Sequence, residues 1–342
     1  MGCNLKDLAP AHPISMEALS GSRVGVDAFL LAFQFLTTIR DLGPTGDGGP
    51  LKDDHGRPVA HLMGFLARST GLVEAGIAPV FIFDGAHPDL KADEMADRRA
   101  RREAAESAWQ AALDAGDYAT AQKLGPRVVR YTPEMVEETM ELLRLLGIPA
   151  LRAAAEGEAQ AAMMARRGDL DVVATQDWDA LLYGAPVVVR HLTSHGTKRY
   201  GRIIRAERID LAEVLATNDL TQEQLVDLGI MIGTDFHPGI RGIGPKTGLK
   251  LIKKHGHIEA ICEVKGIEPP TDLDLIRRIF HDHPAVETPP TQLVQGTVDE
   301  AGLRRFLIEE RSFSERRVQA ALDVMERAGR ARGDGQSSLF DF

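Results

Sequence analysis

Seven acidic residues stand after short apolar runs or in the turns that follow, where they could bind metal ions. They are Asp27, Asp84, Glu156, Glu158, Asp177, Asp179 and Asp235. An acid that ends an apolar strand belongs at the carboxyl edge of a parallel sheet, where α/β proteins bind ligands. Seven carboxylates at one edge would repel one another and raise their own pKa values unless cations neutralised them. Oxygen ligands select hard divalent ions such as Mg²⁺ or Mn²⁺, which indicates a metal site that hydrolyses phosphodiesters.

Each acid taken alone also has an ordinary structural explanation. Asp27 could cap a helix that begins at the next residue, and Asp84 could belong to a turn before a glycine. Glu156 and Glu158 could compensate the dipole of the Ala-rich helix that follows them. All seven acids in this order form a much stronger signal than any one of them.

The motif Asp177-Trp178-Asp179 follows a strand-like run and could be no more than an acidic turn. Residues two apart on an extended chain share a face, so both carboxylates can also reach one ion.

Strand-like runs and helical stretches alternate along the chain. The apolar runs cover residues 23–26, 79–83, 148–151, 171–175 and 187–192, and the helical stretches include 28–38, 59–76, 133–147 and 159–167. The helix at 133–147 is expected to have Thr132 as its N-cap and Pro133 at its first position. This alternation predicts an α/β fold with a doubly wound, mostly parallel central sheet flanked by helices.

Residues 91–124 form a highly charged insertion between two of the predicted strands. The small-residue break at 115–117 indicates a pair of solvated helices that project from the body. Lys91 and Arg98 are seven residues apart, so they share one helix face. That face could simply be solvated. If it overlooks the metals, the two cations could hold the scissile phosphate and stabilise developing charge.

A compact helical unit at 221–256 contains a Gly-Ile-Gly turn at 242–244 followed by a helix at 247–255. The unit opens with a capping-box pattern at Thr221, and no acid lies between Phe236 and Ile258. A glycine turn that exposes amides at a helix start accepts a DNA phosphate without reading sequence. A solvated basic helix is the alternative. Lys246 directly precedes this helix, and Lys250, Lys253 and Lys254 lie on it.

Composition limits the class of protein. The formal net charge of −10 does not exclude DNA binding, because the seven acids supply most of it and the cations are clustered. Two distant cysteines argue for a reducing compartment and against structural zinc. The sequence shows no membrane span and no signal peptide, so we expect a cytoplasmic protein without a membrane partner.

Two apolar features remain to be placed. Phe33 and Phe35 lie on an apolar helix and are expected in the core. The tail from Gly329 to Gln336 is rich in Gly, Arg and Asp, which indicates a flexible linker. The aliphatic and aromatic residues that follow could dock in the groove of a partner, or they could end a helix packed on the core.

The acids, the charged insertion and the glycine hairpin together resemble the structure-specific 5′ nuclease superfamily, and within it the archaeal type of flap endonuclease. The similarity runs from Met1 to about Gly256 and resumes at the C-terminal heptapeptide. It implies a PIN-like 5′ nuclease fold with a helical arch and a helix-hairpin-helix unit.

The resemblance also implies roles for individual residues. All seven acids would be metal ligands for two Mg²⁺ ions, with Mn²⁺ able to substitute, and K⁺ would bind at the hairpin. The catalytic residues would be Asp27, Asp84, Lys91, Arg98 and Glu158. DNA would contact Gly2, Phe33, Arg40, Gly242, Gly244, Lys246, Lys250, Lys253 and Lys254. The tail resembles a box that binds the sliding clamp (PCNA) through Gln336, Leu339, Phe340 and Phe342.

The resemblance divides the chain into a nuclease domain at 1–330 and a flexible tail at 331–342. The domain would comprise an N-terminal region at 1–98, an arch at about 88–131, an internal nuclease region at 132–256 with the hairpin at about 221–256, and C-terminal helices at 257–330. The clamp-binding box would occupy 336–342.

The function implied is a monomeric, Mg²⁺-dependent endonuclease that cuts 5′ flaps by two-metal hydrolysis during Okazaki-fragment processing and repair, with 5′–3′ exonuclease activity. Two alternatives stay open. One is another nuclease of the superfamily, such as a 5′ exonuclease or a junction resolvase. The other is a non-catalytic DNA-binding scaffold recruited by the clamp.

Overall fold

A computed structural model describes residues 3–85, 92–196, 198–199 and 202–337 of the chain. Nine strands are present in these ranges. They are β1 (His12–Ile14), β2 (Arg23–Asp27), β3 (Ala78–Phe83), β4 (Ala150–Arg152), β5 (Val172–Ala174), β6 (Val187–Arg190), β7 (Lys198–Arg199), β8 (Arg202–Ile203) and β9 (Ala206–Asp210). Seven of them form one sheet in the order β1-β9-β6-β5-β2-β3-β4, and β7 pairs with β8.

The five strands predicted from the sequence are all present and run parallel to one another, which confirms a mostly parallel sheet. The chain moves from β2 outward to β3 and β4, then returns to the other side of β2 with β5 and β6. The sheet therefore has a switch point between β2 and β5, where α/β folds form a ligand crevice. The antiparallel edge made by β9 and β1 was not predicted.

Fourteen α-helices surround the sheet in the described ranges. They are α1 (Ala28–Thr38), α2 (Ala60–Glu74), α3 (Ala92–Asp114), α4 (Tyr118–Leu124), α5 (Pro133–Leu145), α6 (Gly157–Arg167), α7 (Asp179–Leu182), α8 (Leu211–Asn218), α9 (Gln222–Ile232), α10 (Pro245–His255), α11 (Ile258–Lys265), α12 (Leu273–His281), α13 (Glu300–Arg304) and α14 (Glu315–Ser337).

Local capping chemistry sets several of these boundaries. The Thr132 hydroxyl accepts a hydrogen bond from the Met135 amide at the start of α5, whose first residue is proline. Thr221 and Gln224 form the predicted capping box of α9. The charged insertion folds as α3 and α4, and Asp117 caps the second of them. These three expectations are confirmed.

The sheet separates two hydrophobic cores because successive residues on a strand face opposite sides. On β3, Val80 and Ile82 pack with α6, α7 and α9, whereas Phe81 and Phe83 pack with α1, α2 and α5. Both cores are built from both halves of the chain, so the carboxyl edge of the sheet is held from two sides.

The C-terminal region at 257–330 is mainly helical, and helix also covers the described part of the predicted linker, whose flexibility stays a prediction. Helix α14 continues through Ser337. Alanine and arginine are good helix formers, and Arg330 pairs with Glu326 one turn earlier, which offsets the glycines of this segment. Both cysteines are free, and no helix of the described chain is long and apolar enough to cross a membrane. The finer domain boundaries stay predictions.

Candidate active site

Two of the seven acids lie at the ends of neighbouring strands beside the switch point. Asp27 is the last residue of β2 and also caps α1, because its Oδ1 accepts a hydrogen bond of 3.0 Å from the Leu30 amide. Asp84 directly follows β3, and its Oδ1 accepts a hydrogen bond of 2.7 Å from the Gly157 amide. The capping role and the site position of Asp27 are therefore compatible.

The start of α6 brings the Glu-Gly-Glu motif against β3. A Cβ on Gly157 would lie 3.1 Å from both Asp84 Oδ1 and the Ile82 carbonyl oxygen, so a glycine allows this close approach. Glu156 occupies the N-cap position of α6 and is buried. Glu158 lies in the first turn, and its Oε1 accepts a hydrogen bond of 3.1 Å from the Ala180 amide.

The Asp-Trp-Asp motif joins β5 to α7. Asp179 is the first residue of α7 and is buried, and its Oδ1 accepts a hydrogen bond of 2.7 Å from the Cys3 amide. Asp177 is more exposed. Trp178 lies between the two acids in the sequence. The Arg190 guanidinium lies 4.1 Å from the centroid of its ring and helps to hold the ring in place.

The carboxylates are close enough to shift one another's pKa values. Burial, followed by the charge of Asp84, raises the pKa of Asp27 to about 7. Burial and the charges of Asp179, Asp177 and Asp27 raise the pKa of Glu158 well above its usual value. Partial loss of hydration and the charge of Asp235 raise the pKa of Asp177. The electrostatic repulsion expected from the sequence is therefore present.

The donor chemistry fits hard divalent cations. The site offers carboxylate oxygens whose pKa values are raised by burial and then by mutual repulsion, and a bound cation would offset both effects. Within the described residues, no three His, Cys, Asp or Glu side chains stand closely enough to enclose an ion as they are. Four of the acids also accept backbone amide hydrogen bonds, which offset part of their mutual repulsion.

Asp235 and the charged insertion meet at the open side of this cluster. Asp235 lies in the turn after α9, and Arg98 of α3 places its Nη2 3.5 Å from Asp235 Oδ2. A cavity of about 630 Å³ lies beside α3 and is lined by Arg98, Arg101, Arg102 and Arg127. Arg98 of the insertion therefore faces the acids, and the other arginines line the adjoining cavity. Lys91 lies outside the described residues.

Arg40 contacts the insertion rather than open solvent. Its Nη1 donates a hydrogen bond of 2.7 Å to the Gln122 carbonyl oxygen in α4, and the side chain is half-buried. Trp109 of α3 donates a hydrogen bond of 2.7 Å to the Asp47 carbonyl oxygen on the same loop. The insertion is thus anchored on the loop after α1. A DNA contact for Arg40 stays a prediction.

The two phenylalanines of α1 have different surroundings. Phe35 is buried and packs against Phe65 with ring centroids 5.5 Å apart. Phe33 is 40% exposed. The expectation that both belong to the core is wrong for Phe33, because it lies on the side of α1 that faces away from the sheet. Its exposure agrees with the stacking role that the resemblance implied.

The glycine hairpin has the geometry expected of it. Gly242 has a φ of +83°, which favours glycine, and Gly244 is the N-cap of α10. The helix begins at Pro245, two residues before the predicted start, because proline suits the first helical position. Lysines 246, 250, 253 and 254 are all exposed, and two of them reach acids only at 3.6 Å.

Several predicted site residues cannot be placed. Gly2, Leu339, Phe340 and Phe342 lie outside the described residues, and of Gln336 only the helical backbone is described. The proposed clamp-binding box therefore stays a prediction.

Comparison with known proteins agrees with this geometry. The model of the XPG N-terminal domain matches residues 4–105, and the model of the XPG I-region matches residues 147–235. "Flap endonuclease 1" of Methanosarcina barkeri is 40% identical over 337 residues, which cover 97% of this chain and 98% of that protein. The chain belongs to the flap endonuclease family.

Solved structures support the same assignment. Flap endonuclease-1 from Methanococcus jannaschii matches with a TM-score of 0.73 and 36% identity, covering 96% of this chain and 98% of that one. The catalytic core of Rad2 in complex with DNA substrate matches with a TM-score of 0.72, covering 95% of this chain and 100% of that one. Its identity is 23%, so it supports the fold alone.

Sequence reasoning missed two groups that hold the acids in place. One is the Cys3 amide, which donates to Asp179 across 176 residues. The other is the Tyr183 hydroxyl, which donates a hydrogen bond of 2.8 Å to Glu156 Oε2. No local pattern marks either contact, because both join segments that only the folded sheet brings together.

Proposed function

We propose that the chain is a nuclease that hydrolyses the phosphodiester at the base of a 5′ flap and leaves a 5′ phosphate. The observation that carries this proposal is the acid cluster at the carboxyl edge of the sheet, with Arg98 of α3 beside it. Membership of the flap endonuclease family supports the substrate class. The exposed amides and lysines of the hairpin support binding of the flanking duplex.

The acids would hold two Mg²⁺ ions, for which Mn²⁺ could substitute. Asp27, Asp84, Glu158, Asp177 and Asp179 would be direct ligands, and Glu156 and Asp235 would act partly through bound water. Bound divalent ions supply Lewis-acid stabilisation of the scissile phosphate and make water a stronger nucleophile.

The residues of the chain bind and orient the DNA. Arg98, together with Lys91, would hold the scissile phosphate and offset the negative charge that develops on it. The face of Phe33 is open for a base to stack on. The amides that start α10 would donate hydrogen bonds to a phosphate, with K⁺ at the Gly242–Gly244 turn. Lys250, Lys253 and Lys254 would extend this contact along the duplex.

Further properties follow from the family and the sequence. We propose a secondary 5′–3′ exonuclease activity, a monomeric state, and a place in the cytoplasm beside the nucleoid. We also propose that residues 336–342 bind the sliding clamp as a short peptide, with Leu339, Phe340 and Phe342 as apolar anchors.

A cleavage assay with three 5′-labelled substrates tests the main proposal. In Mg²⁺, a double-flap substrate should be cut at the flap base much faster than blunt duplex or single strand. Chelation should abolish cleavage and leave binding measurable. Preferred cutting of a four-way junction would favour a resolvase, and binding without cleavage in any metal would favour a scaffold.

A further inference from the structure

A buried tyrosine contacts the acid cluster from behind. Tyr183 is 1% exposed, and its hydroxyl donates a hydrogen bond of 2.8 Å to Glu156 Oε2, which is also buried. A phenol is an O–H donor at neutral pH, so the hydroxyl donates and the Glu156 carboxylate accepts.

The tyrosine ring is fixed by residues from the C-terminal part of the chain. Its centroid lies 4.9 Å from that of Phe280 and 5.4 Å from that of His283. The Glu156 amide in turn donates a hydrogen bond of 3.5 Å to His283 Nε2. Phe280 and Tyr183 are both fully buried, so the ring has little freedom to move the hydroxyl away from Glu156.

The same tyrosine is connected to the second acidic motif. It follows α7 directly, and its amide donates a hydrogen bond of 3.0 Å to the Asp179 carbonyl oxygen. Two acids from different strand ends, Glu156 before α6 and Asp179 at the start of α7, are thus joined through one residue.

We propose that Tyr183 is a positioning residue that fixes the orientation of the Glu156 carboxylate and thereby raises the affinity of the acid cluster for divalent cations. This inference rests on the proposed function, because it assigns Glu156 to the metal site. Groups that hold a metal ligand from behind typically contribute a factor of about 10–100 in metal affinity.

The test compares Tyr183→Phe with a matched variant, Tyr131→Phe. Both changes delete one buried hydroxyl, since Tyr131 donates a hydrogen bond of 2.7 Å to Thr139 Oγ1 in the opposite core. Calorimetric titration of the DNA-free protein with MnCl₂ measures metal affinity. Flap cleavage across a range of Mg²⁺ concentrations separates half-saturation from the maximal rate.

Tyr183→Phe should weaken Mn²⁺ binding and raise the half-saturating Mg²⁺ concentration by about 10-fold. The rate at saturating Mg²⁺ should stay within about threefold of the wild type, because the change reorients a ligand and removes none. Tyr131→Phe should alter neither quantity. In a Glu156→Gln background, Tyr183→Phe should add almost nothing to the loss of Mn²⁺ affinity, because the hydroxyl acts through that carboxylate.

Unchanged Mn²⁺ affinity in Tyr183→Phe would overturn the proposal, and so would equal losses in both tyrosine variants, which would indicate a general effect on packing. Full additivity with Glu156→Gln would also overturn it. If the wild type bound Mn²⁺ but cut no flap, the proposed function would be refuted. A selective loss of Mn²⁺ affinity in Tyr183→Phe would still support the positioning role in that case.

Discussion

The acid cluster and the glycine hairpin both carry charges proposed to act on DNA, but the structure holds them differently. Four acids each accept a backbone amide hydrogen bond from a neighbouring loop or helix. The hairpin lysines are exposed, and the ion pairs that Lys246 and Lys253 form with Asp7 and Asp219 are long, at 3.6 Å.

This difference matches the two functions proposed for these regions, metal binding by the acids and phosphate binding by the lysines. Ligands for a cation must be placed to a fraction of an ångström, and the acids proposed as ligands lie where strand ends and helix starts fix the backbone. Phosphate contacts that do not read sequence tolerate movement, and the lysines proposed for this contact are flexible side chains around a fixed helix start. The acids should therefore respond to single substitutions in an all-or-none manner, and the lysines should respond gradually.

The largest expected effect comes from removing one acid. Asp179→Ala should lower the rate of flap cleavage by about 1,000-fold or more and leave DNA binding measurable, because it deletes a proposed metal ligand. A single-turnover cleavage assay and a binding titration in Ca²⁺ would measure the two quantities. Asp179→Asn should have a similar effect while keeping an oxygen that can accept from the Cys3 amide.

The control is Asp210→Asn on strand β9 of the same sheet. Asp210 pairs with Arg208 and lies opposite Val187, the first residue of β6, which is at the amino edge of the parallel strands, so cleavage should be nearly unchanged. Retained Mg²⁺-dependent cleavage in both Asp179 variants would show that Asp179 is not part of the metal site. The contrast between the acid cluster and the hairpin would then fail.

The next effect tests an exposed aromatic against a buried one on the same helix. Phe33→Ala should lower catalytic efficiency on flap DNA by about 10-fold, because base stacking on an aromatic contributes about 1–3 kcal/mol. Its melting temperature should hardly change, since the ring is 40% exposed. Phe35→Ala should instead destabilise the protein by about 3–5 kcal/mol.

Thermal denaturation and cleavage kinetics on both variants would separate the two roles. Equal destabilisation by the two substitutions would place Phe33 in the core after all.

The sequence predicted most of the framework because its signals are local. The five parallel strands, the box at Thr221 and the cap at Thr132 depend on residues within a few positions of one another. Strand β9 was missed because its alternation is short and charged, and it is recognisable only by its pairing with β6.

The sequence predicted which acids form the candidate site, but it did not predict the contacts that hold these acids in place. Acids that follow strands can be recognised from the sequence alone, because a parallel sheet brings the carboxyl ends of its strands together at one edge. The contacts of Asp179 with the Cys3 amide and of Glu156 with Tyr183 join distant segments and need the fold. The exposure of Phe33 also depends on what packs against α1, which periodicity alone does not determine.

A smaller effect is expected at the hairpin. The double change Lys250→Glu and Lys253→Glu should weaken DNA binding by a similar factor for all sequences. It should also reduce the slope of log affinity against log salt by about one per lysine. Fluorescence anisotropy at several salt concentrations would measure both. The matched change, Lys265→Glu with Arg317→Glu, reverses two exposed cations on other helices and should leave the slope nearly unchanged.

An unchanged slope in the Lys250 and Lys253 variant would place α10 outside the DNA interface. A complete loss of binding would mean that the lysines are as strictly required as the acids, and the contrast between the two regions would then fail.

The smallest effect concerns the ion pairs that join α9, α11 and α12 next to the hairpin. Arg277 of α12 bonds both oxygens of the buried Asp227 in α9 and both oxygens of Glu259 in α11. The hydrogen bonds from Arg277 lower the pKa of Glu259 from 4.5 to about 2. Because the folded pKa is the lower one, this pairing stabilises the protein fully above about pH 4.5, and the contribution is lost as the pH falls toward 2.

Glu259 is 43% exposed, so solvent screening reduces its contribution to about 1 kcal/mol. Urea unfolding should show the wild type about 1 kcal/mol more stable than Glu259→Gln at pH 6, with the gap closing below about pH 4. The hairpin lysines should keep their effect on DNA binding in this variant, because Asp227 still holds Arg277 and the Ile258 amide. A stability gap that persists at pH 2.5 would mean that Glu259 acts through packing and not through its charge.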